Sequence, residues 1–180
     1  MPGILGRKIA HLAGNILDLS LHLKHSKSHD ASWTNVFTFA ESCTGGLLAS
    51  TMTSLPGVSA VFPGSVITYS NRAKIEHLSV TTGTIERHGA VSAQCAAEMA
   101  AGALGMFDAA MAVGVTGIAG PGGGSDDKPV GTVWFAIAHC DGRIRLKRGF
   151  YPSRSRGGVQ RMAVSAALGL LADGLRYEIG

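Results

Sequence analysis

The 180-residue chain lacks most of what would tie it to a metal, a membrane or a nucleic acid. Its three cysteines, Cys43, Cys95 and Cys140, lie far apart with no Cys-x-x-Cys pair and no neighbouring histidine pair. Neither a zinc site nor a disulfide framework is therefore expected, and a reducing cytoplasm fits. No apolar run approaches the roughly 20 residues that a bilayer span requires, so no membrane association is expected. Arg7 and Lys8 are followed by no apolar stretch with a small-residue cleavage site, so a secretory signal is not expected either. Charged residues make up only 16% of the chain, with a net charge of +4. That mild excess suits an anionic small molecule. No Lys/Arg block with interleaved aromatics is present, so nucleic acid is not an expected partner. There is no internal repeat.

What the chain has in quantity is glycine, 25 residues, clustered at 45–46, 114–124 and 157–158. Clusters of this kind mark ligand-facing loops. The first follows Val36-Phe37-Thr38-Phe39-Ala40, which alternates as a strand does, and precedes Leu47, Leu48, Thr51, Met52 and Leu55 at helical spacing, up to Pro56-Gly57. Ala40-Glu41-Ser42-Cys43-Thr44-Gly45-Gly46 is thus a tight turn from a strand into a helix. Amides at such a helix start favour negative charge. Ser42 or Thr44 could serve there as a plain helix cap, or a serine nucleophile could have its oxyanion donors already in place.

In residues 3–24, Leu5, Ile9, Leu12, Ile16, Leu19 and Leu23 form one apolar stripe, which predicts a helix packed on the domain that follows. His22, His25 and His29 sit among Lys and Ser, as in a solvated linker. A β-prone run at 61–69, broken by Pro63-Gly64, leads into a short helix after Ser70-Asn71 that carries Lys74. An Ala-rich helix is expected at 93–107, its small residues Ala97, Ala101 and Gly105 allowing close packing on a sheet or a partner subunit. A buried strand at 109–115, a glycine loop from Thr116 to Ser125, a strand at 132–138, a hairpin at Asp141-Gly142 with a returning strand 143–151, and a C-terminal amphipathic helix complete the order. Arg156 and Arg161 fall near the start of that last helix, where a phosphate could be held or the side chains simply solvated. The alternation of strands and helices predicts one domain, an α/β three-layer α/β/α sandwich with a mixed sheet.

Taken together, Ala40 to Gly46, Tyr69-Ser70-Asn71 with Lys74, His88-Gly89-Ala90-Val91-Ser92, Thr116 to Gly123 and Lys128-Pro129-Val130-Gly131-Thr132-Val133 closely resemble the CinA C-terminal domain family. The resemblance runs from about Val36 to Leu171. It implies the same three-layer fold, a domain at 34–176, and an accessory N-terminal helix and linker at 1–33 whose removal to residue 30 should leave the fold largely intact. The family includes stand-alone nicotinamide mononucleotide deamidases. The implied reaction is hydrolysis of that nucleotide's carboxamide to nicotinic acid mononucleotide and ammonia, a step of pyridine nucleotide salvage, with no metal or organic cofactor implied. The small-residue face of the helix at 93–107 leads us to expect a homo-oligomer, a dimer or higher. An amide is a poor electrophile, so its hydrolysis wants a nucleophile, a proton carrier and an oxyanion site. On this reading Ser42 is the nucleophile and Lys74 its general base, with Tyr69 orienting Lys74 or relaying the proton. Amides of Thr44, Gly45 and Gly46 would form the oxyanion site. Thr116, Gly117, Ala119 and Gly120 would line the nucleotide and Arg156 would pair with its phosphate. Cys43 is a rival nucleophile in the same turn. A catalytically silent nucleotide-binding module, or an amidase for a related substrate, would share the fold. The chain departs from the usual family pattern at Arg154-Ser155-Arg156, where a Gly-Asp-Arg run is common, and at Pro63.

Overall fold

A computed structural model describes residues 3–180. Strand β1 (Asn35–Glu41) lies in one five-stranded sheet between β2 (Ser65–Ile67) and β3 (Ala109–Gly117), parallel to both. Strands β4 (Thr132–His139) and β5 (Ile144–Phe150) extend the sheet antiparallel beyond β3, giving the order β2-β1-β3-β4-β5. The sheet is mixed, as expected. β1 and β3 are buried over nearly their whole length, which is why they read as continuous apolar runs.

Helices α1 (Ile4–Ser26), α2 (Leu47–Thr53) and α6 (Arg156–Ile179) cover one face. There Phe37, Phe39 and Phe62 form a ring cluster with centroids 5.2 to 5.5 Å apart, alongside Met52, Leu168 and Leu171. On the other face lie α3 (Asn71–Leu78), α4 (Thr82–His88) and α5 (Ala93–Phe107), with Leu78, Cys95, Met99 and Ala103 packed against Ala40 and Ala112 of the sheet. This is the three-layer α/β/α sandwich. Gly102 of α5 lies directly against the backbone of Leu78, where a Cβ would have no space, so α3 rests on α5 at glycine distance.

Three expectations change. The strand expected across 61–69 shrinks to Ser65–Ile67, because Pro63-Gly64 interrupts it and Val58–Ala60 forms a 3₁₀ turn; Val61 and Phe62 are buried without being in a strand. α4 was not expected: it has no apolar periodicity and is started by the Thr81 hydroxyl, which accepts the Thr84 amide at 3.1 Å. Finally, α1 is less an accessory than part of the core. Its Ala13, Ile16 and Leu23 are fully buried against α6 and β1 in the same cluster as the sheet residues; residues 1 and 2 lie outside the described part. Among the described residues no helix is long and apolar enough to cross a membrane.

Candidate active site

The chain turns away from the sheet at the carboxyl ends of β1, β2 and β3, and a cavity of about 260 Å³ opens there. β1 has its two parallel neighbours on opposite sides, so this is the switch point where open α/β sheets bind ligands. Ser42 follows β1, Tyr69 follows β2, and Thr116 and Gly117 end β3; all four line the cavity, with Cys43, Asn71, Lys74, Ala119, Gly120 and Arg156.

Lys74 Nζ lies 3.0 Å from Ser42 Oγ. The lysine is 1% exposed, and its amine also donates to the main-chain oxygens of Thr68 at 2.7 Å and Tyr69 at 3.4 Å. Ser70 caps α3 by accepting the Ala73 amide at 3.0 Å, which fixes the turn that carries Lys74 inward. Burial pushes the Lys74 ammonium below the usual lysine range, only partly opposed by Cys95 and Cys43, and no carboxylate lines the cavity. A desolvated amine on a serine hydroxyl is a base poised to take its proton.

Cys43 is 4% exposed, and burial raises its thiol to about 12, outweighing the pull of its own backbone hydrogen bond and of Lys74. The thiol is protonated at neutral pH and is a poor nucleophile. Its carbonyl is held by Gln160 of α6 at 3.0 Å.

The helix-start amides are arranged differently from the expectation. Glu41 is fully buried; its Oε2 accepts Gly46 N at 2.9 Å and Leu48 N at 3.1 Å, and its Oε1 accepts Ala49 N at 2.9 Å and Ser65 Oγ at 3.3 Å. The Gly45 amide donates to Ser42 O at 3.1 Å and the Leu47 amide to Thr44 O at 3.3 Å. Thr44, Gly45 and Gly46 do not line the cavity. An internal carboxylate therefore occupies the anion position that the sequence reading reserved for an oxyanion. Among the described residues the amides of Cys43 and Thr44 make no backbone–backbone hydrogen bond, and the Cys43 amide interacts with its own thiol.

The Tyr69 phenol also points elsewhere than expected. It is 59% exposed and accepts Arg156 Nη2 at 2.6 Å, so it is the Tyr69 carbonyl, and not its ring hydroxyl, that contacts Lys74. Arg156 Nη1 donates to Gly120 O at 2.9 Å. The guanidinium thus reaches the cavity tethered only to neutral oxygens, its charge uncompensated. Neither Arg154 nor Arg161 lines the cavity. Thr116 is 1% exposed and donates to Ala90 O at 2.8 Å, tying the end of β3 to the loop before α5. Among the described residues no group of three or more His, Cys, Asp or Glu could hold a metal ion. Sequence reasoning missed Glu41, Gln160 and Asn71. For Glu41 a signal existed: a carboxylate at a strand end, five residues before a glycine that opens a helix.

The family model of the CinA C-terminal domain matches residues 24–175. A CinA-like protein of Fervidobacterium nodosum is 58% identical over 105 residues, which are 58% of this chain and 26% of that protein. A protein of Enterobacter agglomerans named nicotinamide-nucleotide amidohydrolase PncC is 56% identical over 107 residues, 59% of this chain and 65% of its own length. The match thus spans about a quarter to a third of the CinA-like relatives and about two thirds of that amidohydrolase. Among solved structures, the competence/damage inducible protein CihA from Agrobacterium tumefaciens superposes with a TM-score of 0.78 at 40% identity, covering 90% of this chain and 96% of that one. The competence damage-inducible protein A of Klebsiella pneumoniae superposes with a TM-score of 0.82 at 34% identity, covering 93% and 97%. With the domain matched over most of its length and the same fold in both neighbours, this chain belongs to the CinA C-terminal domain family.

Proposed function

We propose that the chain hydrolyses the carboxamide of nicotinamide mononucleotide to nicotinic acid mononucleotide and ammonia, with Ser42 as nucleophile and Lys74 as general base. The observation that carries this reading is the 3.0 Å contact between Ser42 Oγ and a buried, cation-disfavouring Lys74 in a cavity without a carboxylate. Similarity to the protein named as a nicotinamide-nucleotide amidohydrolase supplies the substrate. On this reading Lys74 takes the Ser42 proton as Oγ attacks the amide carbon, and the oxyanion forms against the amide of Cys43, in the cavity wall. Lys74 then returns the proton to the departing nitrogen, and ammonia leaves an ester on Ser42. Water attacks the ester, giving a proton to Lys74, which passes it to Ser42 Oγ as the acyl–oxygen bond breaks. The acid product departs as its carboxylate, losing its remaining proton to solvent, and Ser42 and Lys74 are restored. Arg156, tethered to Tyr69 and Gly120, pairs with the 5′-phosphate, while Ile118 and Ala119 flank the ring. The reaction belongs to pyridine nucleotide salvage in a reducing cytoplasm, and the enzyme works as a homo-oligomer.

The test is ammonia release from nicotinamide mononucleotide by the purified chain beside Ser42→Ala, Lys74→Ala and Cys43→Ala. Turnover abolished by the first two and kept by the third supports the reading. A wild-type chain that binds the nucleotide and releases no ammonia overturns it.

A further inference from the structure

At the end of the sheet opposite Ser42, where β3 begins and β4 ends, a second cavity of about 420 Å³ is lined by His139, Arg143, Ile144, Arg145, Gly174 and Tyr177. Its lining holds two guanidinium groups, an imidazole and an aromatic ring, and no acid. Arg143 is fixed in place: it pairs with Asp141 at 2.5 Å and with Glu178, and its guanidinium lies 4.9 Å from the centre of the Tyr177 ring. Arg145 has no ion-pair partner among the described residues. His139 is 8% exposed, yet among the described residues its ring makes no hydrogen bond; Glu178 Oε1 lies 3.6 Å from its Nδ1 as an ion-pair contact. A Cβ on Gly174 would reach 2.7 Å from Ile137 and 3.6 Å from the His139 ring, so glycine there leaves the imidazole its place in the cavity wall.

Glu178 at 3.6 Å gives the His139 ring an ion-pair contact but no hydrogen bond, so a nearly buried polar ring has capacity left for a further partner. Cations on one wall, with an apolar side chain and an exposed aromatic ring on another, specify that partner. We propose that this cavity is a second small-molecule site, distinct from the one at Ser42, that takes a planar aromatic ligand carrying a carboxylate or phosphate. The ring packs on Tyr177 and Ile144, and the anionic group meets Arg145 and His139. Its volume falls in the range of small-molecule sites, about 300 to 1,000 Å³.

The charges around His139 give the site a local reporter. Burial and then Arg143 press its imidazole below the ordinary histidine range, Arg145 acts the same way, and Glu178 and Asp141 oppose them. Lys27, just past the end of α1, pairs with Glu178 at 3.0 Å. An anion bound beside His139 adds negative charge, favours the imidazolium and raises its titration midpoint, so binding tightens as pH falls.

The experiment uses the full chain and NMR of its histidine side chains, with His139→Asn to assign the resonance among the seven. Benzoate and phenyl phosphate separate the two anionic groups, and benzamide keeps the ring without the charge. Expected are a saturable shift of the His139 resonance with one or both anions, a raised midpoint, and binding at least about tenfold weaker for Arg145→Ala and for benzamide. No saturable His139 shift up to about 20 mM, an undiminished response in the exposed-site variant Arg145→Ala, or an equal response to benzamide overturns the proposal.

Discussion

The Glu41 carboxylate accepts the Gly46 amide at 2.9 Å, so the last residue of β1 holds the first turn of the helix that begins just past Ser42. Three amides and a serine hydroxyl converge on this one buried group. Ser42 sits between two ends of a single clamp.

Glu41→Ala is expected to lower unfolding free energy by about 3 kcal/mol, since it strands buried amides, and to reduce kcat for amide hydrolysis by more than tenfold. Urea unfolding and steady-state kinetics check both. Unchanged stability would mean that water replaces the carboxylate.

Lys74 carries a sign that can be read two ways. Its folded pKa lies below the free value of 10.5, so activity should rise with pH and level off at a midpoint under 10.5. Between the folded and unfolded pKa values the unfolded chain binds more protons, so the burden of burying Lys74 is least above 10.5, grows as pH falls from 10.5 to the folded value, and is constant below it. Lys74→Met removes that burden. The variant should be inactive, and its stability relative to wild type should improve as the pH is lowered across that window and then level off.

Cys43→Ala should keep activity within severalfold and cost about 1 kcal/mol for the small void. With its thiol at about 12 and 4% exposed, Cys43 should react with a maleimide far more slowly at pH 7 than the exposed Cys140. Mass spectrometry of partially labelled chain decides this; Cys43 labelled first would return it to the list of nucleophiles.

Arg156→Ala should raise KM for the nucleotide by roughly 10- to 100-fold with a smaller change in kcat, and Arg156→Lys should recover little, because the planar fork spans Tyr69 Oη and Gly120 O together. Tyr69→Phe removes one tether only and should cost less.

Ile16→Ala should destabilise the fold by about 2 to 4 kcal/mol, as expected for a fully buried residue. Deletion through residue 30 should cost more, seen as a large fall in thermal midpoint. This reverses the expectation drawn from the sequence.

Much of this was readable in the chain because local chemistry decided it. The helix at Ala93–Phe107 appears at its expected bounds, since an Ala-rich run capped by Ser92 has no competing preference. Ser42, Lys74, Thr116 and Arg156 come together because each stands at the end of an element whose end the sequence marks. Illegible were relationships set by long-range packing. That Glu41 would turn back onto α2 depends on β2 bringing Ser65 beside it, and that the Tyr69 phenol would meet Arg156 depends on a helix 87 residues away. The burial of α1 likewise follows from a partner helix at the other end of the chain. Strand order, too, has no local signal.

Gly102 belongs to neither cavity wall at Ser42, yet it sets a tolerance there. Because α3 rests on α5 where residue 102 has only hydrogen, the spacing of the two helices is gauged by a missing methyl group. Lys74 is one turn from that contact. The position from which Lys74 reaches Ser42 is thus gauged from the back of the molecule, by a residue outside that cavity.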